Sequence, residues 1–501
     1  MATEMAITSQ LDLTSFKAMG AAKSRRVTVN PENVSSFTSS ASTTDVFFTL
    51  PSGRFTMING QNSYLAFDVT CAVGFTSANA LTTGATNAYI ANGSASSFIR
   101  TLEVIAQSQS IELLDKYDVW AALVEDAQGY ARTNTINAVV NGGPTWTNAA
   151  TSGSTAGLIS ATRIKQGYDL FGAGAPTFVT GVLQPSTKTI RVAIPIYSSS
   201  IGVLQQQYLP AADGLRLRLS FQPSDIPLIV RSQLAVATAA ATCQVTYSVS
   251  NMALQMDYLD INPEVYSQLV AESGGVLRQH GSAVSCFGST IPAGTTFTSL
   301  LIPARYSSVK NFLTCFRNAV STTSQQANCA GDRIYPLLND YVYRTDGKNM
   351  PSVNVRCGNS SGVCLAGESM MEVIKCFHSL HSAQFDVVFG LAEYSQSYLA
   401  LSAGVNTSPA FVAGTAGAWK TQVAGDFGYI TGSYFIGLEF EQDQAGKAVI
   451  SGLDTNSSNT YLDLNITYSG GLVLPIVCDT FCIYDLIVEY QVQTGVISFS
   501  K

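Results

Sequence analysis

Charge is what this chain has least of. Lysine, arginine, aspartate and glutamate make up 12% of its 501 residues, about half the usual ~25%. The net charge of −7 leaves no broad basic surface of the kind that coats nucleic acid. So few charges on so long a chain imply that much of its surface is not free solvent surface, and large neutral contact areas are the economical account. Disorder is excluded, because it needs low hydrophobicity and many charges, whereas 46% of the residues are apolar. No run reaches the ~18 apolar residues of a membrane span. Met1–Gly20 carries Glu4 and Asp12 and no continuous apolar run, so it does not read as a signal peptide. The Asn-x-Ser/Thr sequons at Asn33, Asn92, Asn359, Asn406, Asn456 and Asn465 are then chance matches in a chain rich in Ser and Thr. Ten cysteines, eight of them after residue 280, include no Cys-x-x-Cys pair. Buried thiols of a protein made in a reducing compartment are expected. Cys478 and Cys482 fall on one face of a strand-like run.

Catalytic signatures are missing as well. The three histidines are His280, His378 and His381. Cys376-Phe377-His378-Ser379-Leu380-His381 invites a metal reading. Its spacing matches no common zinc pattern and has no second ligand cluster near it, so a helix end presenting two histidines is the simpler account. Gly153-Ser154-Thr155-Ala156-Gly157 has threonine where a hydrolase elbow needs serine. Gly446-Lys447 is followed by Ala448 and lacks the upstream glycine of a phosphate loop. Gly172-Ala173-Gly174 is too short for a dinucleotide fingerprint. Carboxylates paired only by folding are the one catalytic option left open, and the strands, poor in acids, give it no support. No catalytic residue, metal ligand or cofactor is assigned.

What is present is β-pattern. Asp45–Leu50 ends at a Pro51-Ser52-Gly53 turn signal. From Ser63 to Cys71, Leu65, Phe67, Val69 and Cys71 share one face and Tyr64, Ala66 and Asp68 the other, the signature of a half-buried strand. Phe98–Ala106, Ile111–Leu114, Arg191–Tyr197, Leu215–Phe221 and Cys243–Leu259 continue the pattern. In the second half it returns at Phe297–Ile302, Val309–Phe316, Phe385–Phe389, Gly432–Phe440, Thr460–Thr467 and Cys482–Val492. The period changes at Lys116–Ala127, where Tyr117, Trp120, Ala121, Leu123 and Val124 repeat at three and four, predicting a short amphipathic helix. Asn262-Pro263-Glu264 opens a second helix, Val265–Ala271, stopped by Gly274-Gly275. A third is predicted at Glu368–Phe377. Stretches 134–162 and 402–418, rich in small residues, read as large loops. Residues 1–35 read as an arm, with one short helix at Ile7–Met19 and the basic cluster Lys23, Arg25 and Arg26. That cluster is a candidate contact with genome phosphates or the inner shell, although it has too few charges to condense a genome.

Certain stretches stand out by their order and spacing along the chain. They are Asp45–Gly53 followed by Ser63-Tyr64-Leu65-Ala66-Phe67, and Phe98-Ile99-Arg100-Thr101-Leu102-Glu103-Val104 followed by Ile111-Glu112 and Tyr117-Asp118. Leu209-Pro210 then precedes Gly214–Leu219 and Met256-Asp257-Tyr258-Leu259. Phe316-Arg317-Asn318, the run Leu338–Pro351, Gly452–Ser458 and Tyr484-Asp485 complete the set. Together they resemble the double jelly-roll major capsid proteins of DNA viruses, with the flavour of polinton-like viruses, adintoviruses and virophages. The resemblance runs from about residue 40 to about residue 492. The arm and the two small-residue loops depart from it.

The resemblance implies an all-β fold, a double jelly roll of two eight-stranded antiparallel β-sandwiches with short helical inserts. It is expected to divide into an arm (1–35), a first jelly roll (36–260), a linker helix (261–275) and a second jelly roll (276–501). It further implies homotrimers that are pseudo-hexagonal, because three subunits supply six wedges. Such trimers would tile an icosahedral shell enclosing a genome, with neighbouring capsomers, penton proteins and minor capsid proteins as partners in the virion. Deletion of residues 1–30 is expected to leave trimers and impair shell assembly. Two other readings compete: a secreted or surface carbohydrate-binding or adhesive β-sandwich protein, which native disulfides would favour, and a sandwich glycosidase, which inward carboxylates ~5–10 Å apart would favour.

Overall fold

Alternation in the sequence becomes alternation in space. Between Ser63 and Cys71, the side chains of Leu65, Phe67, Val69 and Cys71 are fully buried, while Tyr64 and Asp68 on the other face are half-buried, as a strand with one face on a core requires. The computed structural model describes residues 22–41, 44–75, 86–90, 94–127, 145–148, 163–166, 187–205, 207–222, 227–232, 243–319, 333–345, 347–360, 364–379, 434–440, 452–456, 462–472 and 475–501. The helix expected at Ile7–Met19, the strand at Phe385–Phe389, the loop at 402–418 and most of the loop at 134–162 lie outside them.

The first half holds β1 (Ala22–Val29), β2 (Ser36–Thr38), β3 (Asp45–Thr49), β4 (Thr56–Phe75), β5 (Thr86–Ile90), β6 (Ile99–Ala106) and β7 (Gln109–Asp115). Helix α1 (Tyr117–Asp126) follows, then β8 (Thr145–Asn148), β9 (Arg163–Gln166), β10 (Thr187–Pro195), β11 (Leu209–Pro210), β12 (Leu215–Phe221), β13 (Leu228–Ser232) and β14 (Cys243–Ile261). Helix α2 (Pro263–Glu272) leads to the second half: β15 (Val276–Ile291), β16 (Phe297–Ile302), β17 (Val309–Asn318), β18 (Leu338–Thr345) and β19 (Lys348–Arg356). Helix α3 (Ala366–Ser379) precedes β20 (Phe435–Glu439), β21 (Leu462–Tyr468), β22 (Ile476–Gln491) and β23 (Val496–Ser500).

The main sheets of the first half run β1-β14-β4-β10 and β3-β12-β6-β7; those of the second run β15-β22-β17-β20 and β16-β21-β18-β19. When the eight main strands of each half are counted from its start, both halves read the same. The first strand neighbours the eighth, then the third and sixth; the second neighbours the seventh, then the fourth and fifth. All these pairings are antiparallel. Each half is therefore a jelly roll, and both carry a helix at the same place, between the fifth and sixth strands. The core lies between the paired sheets of each half. Strands β2 and β11 extend the first sheet and β23 extends the sheet of β22. Strands β8, inside the stretch 134–162 read from sequence as loop, and β9, just after it, form a separate antiparallel ribbon.

The boundary of the arm moves. Residues 22–29, read from sequence as part of a tail, form the first strand of the first jelly roll, paired with β14 along their whole length from Ala22↔Ile261 to Val29↔Leu254. Residues 36–38 pair with β14 as well. An edge strand with polar residues on both faces has little local signature, and the partner of β1 lies more than two hundred residues away in sequence.

Helix α2 begins as its sequence dictates. The Asn262 side chain accepts from the Glu264 N–H at 3.0 Å, and Pro263 occupies the first turn, where its missing donor costs nothing. Such a cap is worth about 1 kcal/mol. Tyr266 and Leu269 bury their side chains against Met57, Ile261 and Leu277. Gly274 and Gly275 end the helix at φ of 66° and 87°, a left-handed pair that other residues reach only with strain.

Candidate functional site

The described surfaces with functional content are the junction between the two jelly rolls, the flanking faces that carry exposed apolar residues, and the basic cluster of β1.

The junction is built around one carboxylate. Asp479 on β22 is fully buried. Its Oδ2 accepts from Arg317 Nε at 2.9 Å and Nη2 at 2.5 Å, both from β17, and its Oδ1 accepts from Lys116 Nζ of the first half. Lys116 stands between β7 and α1 in the left-handed conformation, φ 56° and ψ 43°, which costs a non-glycine residue about 1 kcal/mol. Burial alone would raise the Asp479 pKa; the charges of Arg317 and then Lys116 outweigh it and hold the carboxyl below its ordinary value. Burial opposes the charge of Arg317, but Asp479 holds its pKa above the ordinary guanidinium value. Beside the ion pair, Trp120 of α1 meets Phe481 of β22, with ring centroids 5.4 Å apart.

Further hydrogen bonds cross the same seam. Gln279 Nε2 on β15 donates to the Gln207 carbonyl at 2.8 Å, and the His280 N–H donates to Gln207 Oε1 at 2.7 Å. Gln107, in the β6–β7 turn at φ 49°, donates to the Gly495 carbonyl at 2.6 Å and accepts from the Ile497 N–H at 3.2 Å. Lys501 Nζ donates to the Ser110 carbonyl at 3.2 Å. Within the first half, Glu112 fixes the loop beside the seam. Its carboxylate accepts from the hydroxyls of Ser198 and Ser200, each at 2.6 Å, and from the N–H groups of Ser199 and Ser200 at 3.2 and 3.3 Å. Directed contacts of this kind fix the relation between the halves more sharply than apolar packing does.

Asp118 of α1 lies next to this cluster and is the acid least suited to its place. Burial pushes its pKa up to about 6, against opposition from Arg317, and its Oδ2 accepts from Gln222 Nε2 at 3.2 Å. A carboxyl raised on folding above its ordinary value of 3.8 destabilises the fold increasingly as pH rises from 3.8 to 6, and the penalty is complete above that window. Asp118→Asn is therefore expected to stabilise the protein by about 1–3 kcal/mol at pH 7.5, with the gain disappearing by pH 4. Denaturant titrations of both proteins at the two pH values measure it. A destabilised variant at pH 7.5 would contradict the assignment.

The basic cluster is engaged within the fold. Arg25 pairs with Asp260 at 2.9 Å and Arg26 with Asp257 at 3.0 Å, both acids being on β14, and the Arg25 guanidinium lies over the Tyr258 ring at 5.3 Å. Lys23 is exposed. On β12, Arg218 pairs with Glu103 at 2.7 Å and with Asp45 at 3.2 Å. Eight of the ten cysteines, Cys243 and Cys329 not among them, are thiols outside any disulfide. Cys478 and Cys482 are both buried, and burial pushes the Cys315 thiol up to about 12, far from a reactive thiolate. Among the described residues, no group of three or more His, Cys, Asp and Glu side chains is arranged to hold a metal, and no helix is long and apolar enough to cross a membrane.

Sequence reasoning did not single out Asp479 or Arg317. The available signal was a lone charge inside an apolar run, Cys478-Asp479-Thr480-Phe481-Cys482, in a chain where charges are scarce.

No family model matches the chain, and no curated protein matches it in sequence. Solved structures do. A chain of the Sputnik virophage structure determined by electron cryo-microscopy superimposes with a TM-score of 0.58 at 10% identity, covering 95% of this chain and 88% of that one. The Faustovirus major capsid protein superimposes with a TM-score of 0.50 at 8% identity, covering 93% of this chain and 90% of that one. Strand order, repeated helix and whole-length superposition agree that the chain has the double jelly-roll fold of the viral major capsid proteins.

Proposed function

We propose that the chain is the major capsid protein of a virus, a structural protein without catalytic activity that forms homotrimers and tiles an icosahedral shell around the genome. The observation that carries this reading is the tandem of two jelly rolls with one strand order in a single chain. Two similar but unequal wedges joined head to tail give a heterologous interface, and three copies close it into a block of six wedges. Low charge content supports the reading, because an unpaired charge buried in such an interface would cost several kcal/mol. Neighbouring capsomers, penton proteins and minor capsid proteins would then be partners, and the virion the place of action. A genome contact through Lys23, Arg25 and Arg26 would have to compete with Asp257 and Asp260; closing the edge of the first sheet is the role we favour for the two arginines.

Light scattering on the purified protein at micromolar concentration is expected to give three times 53.1 kDa, with that mass persisting on dilution. Electron microscopy of the same sample is expected to show blocks of hexagonal outline. A monomer in mild buffer would defeat the proposal.

A further inference from the structure

The edges of the sheets are not all guarded alike. A free edge strand invites pairing with another chain, and charged residues along it are the usual deterrent. Among the described residues, the four main sheets have eight edge strands. Seven of them, β1, β3, β7, β10, β15, β19 and β20, carry at least one Asp, Glu, Lys or Arg. Strand β16 carries none. On its outer side Ser299 is exposed, and Phe297 and Leu301 are each 59% exposed.

The internal repeat shows what covers such an edge. Strand β3 is the counterpart of β16, the second strand of its jelly roll. A segment of the chain lies along it. The Glu32 N–H donates to the Phe47 carbonyl at 2.9 Å, Asn33 Nδ2 donates to the Asp45 carbonyl at 2.8 Å, and Asn33 Oδ1 accepts from the Phe47 N–H at 3.1 Å. Phe47, on the outer side of β3, is half-buried. That segment belongs to the connection 30–44. The counterpart between β15 and β16 is 292–296, too short to turn back along the strand.

The chain holds another segment that fits. Residues 1–21 precede Ala22, where β1 begins. In 4–9, Met5, Ile7 and Ser9 alternate with Glu4, Ala6 and Thr8, so as a strand these residues match β16 in length and share one apolar face. Extended, 10–21 span up to about 40 Å. Strands β1 and β15 begin at one pole, where Ile261 and Leu277 pack together. From there the 16 residues of β15 rise about 50 Å and β16 returns about 20 Å, so the near end of β16 stands about 30 Å from the pole. Within one chain a sideways distance adds to this. The seam joins the β6–β7 side of the first half to the sheet of β22, so β1 and β16 lie in the two sheets farthest from it. Four layers at about 10 Å spacing then put the path beyond the reach of 10–21.

We infer that residues 4–9 of one copy add as a strand to the free edge of β16 in a neighbouring copy of the trimer. The inference rests on the capsid reading, which sets three copies side by side. Each chain supplies one such segment and one open edge, so none is left unmatched when the ring closes. Extended chain then replaces the helix expected at Ile7–Met19.

The test uses the full-length protein with the photoreactive residue p-benzoylphenylalanine at position 299. After irradiation, denaturing gels are expected to show a covalent dimer, with position 299 joined to the tryptic peptide 1–17. Adding Ile7→Asp is expected to lower the yield of that dimer about 10-fold or more and to quicken amide exchange along 297–302 by a similar factor, while the circular dichroism spectrum stays unchanged. A wild-type monomer would overturn the capsid reading and this inference with it. A wild-type trimer that cross-links from position 299 to other segments, within one chain, or not at all overturns this inference alone, as does an undiminished yield with Ile7→Asp.

Discussion

Replacing Asp479 by alanine is expected to destabilise the protein by about 3–5 kcal/mol, the cost of leaving a buried charge without its partner. The carboxylate is fully buried and accepts both Arg317 donors and the Lys116 ammonium. Without it, two cations face one another in an enclosed site, and one of them, Arg317, is buried as well. The loss should be strongly non-additive. Asp479→Ala combined with Arg317→Met is expected to recover much of it, because the buried guanidinium that needed a counter-charge is gone and Lys116, 30% exposed, can turn to solvent. Lys116→Met alone is expected to cost less, since Lys116 is 30% exposed. Its distinct readout is the junction: limited proteolysis should then cut at the linker 262–275 before either jelly roll is degraded. Equilibrium unfolding in denaturant gives the first three values. An Asp479→Ala protein as stable as wild type would show that the ion cluster does not hold the halves together.

Sequence alone leads to trimers that survive without residues 1–30; with β1 paired to β14, that deletion is expected instead to abolish soluble folding, whereas deleting 1–21 is expected to preserve it. The contrast follows from β1. Its eight residues pair with β14 throughout, and ladder hydrogen bonds contribute roughly 1 kcal/mol each. The pairs Arg25–Asp260 and Arg26–Asp257 add to that, and Val29 is buried in the core. Losing the strand removes roughly 5–10 kcal/mol, comparable with the whole stability of a typical domain, and bares the edge of β14 to pairing with other chains. Soluble yield, dichroism and thermal midpoint of the two truncations decide it. A 1–30 deletion that folds and melts like wild type would restore the view of this segment as a dispensable arm.

How far the sequence carried the fold depended on where each segment's partners lie. Strands whose cores are read on one face, such as 63–71 and 215–221, were visible because alternation is local. Helix α2 was visible because Asn262, Pro263 and the Gly274-Gly275 pair are local signals. Strand β1 was missed for the opposite reason: its residues alternate poorly, and only β14 makes them a strand. Strand β15 was missed as well. Val276–Ile291 mixes His280, Gly281 and several serines with apolar residues, because one of its faces meets the loop around Gln207. The ion cluster of Asp479, Arg317 and Lys116 joins positions spread over more than 360 residues, so no spacing announces it. Of the three residues, only Arg317 stood in a stretch that carried the family resemblance, Phe316-Arg317-Asn318.

The register of the outermost strands has a topological consequence. Ala22 stands opposite Ile261, and Val276 opposite Gln491, so the backbone enters and leaves each jelly roll at one corner. A lobe with adjacent ends behaves as a bead on a thread. It can be copied and fused to another through a segment as short as 262–275 without rethreading a single strand. The same adjacency makes each lobe a natural subject for circular permutation, with its old ends joined by a few residues and new ones opened in a turn at the far pole.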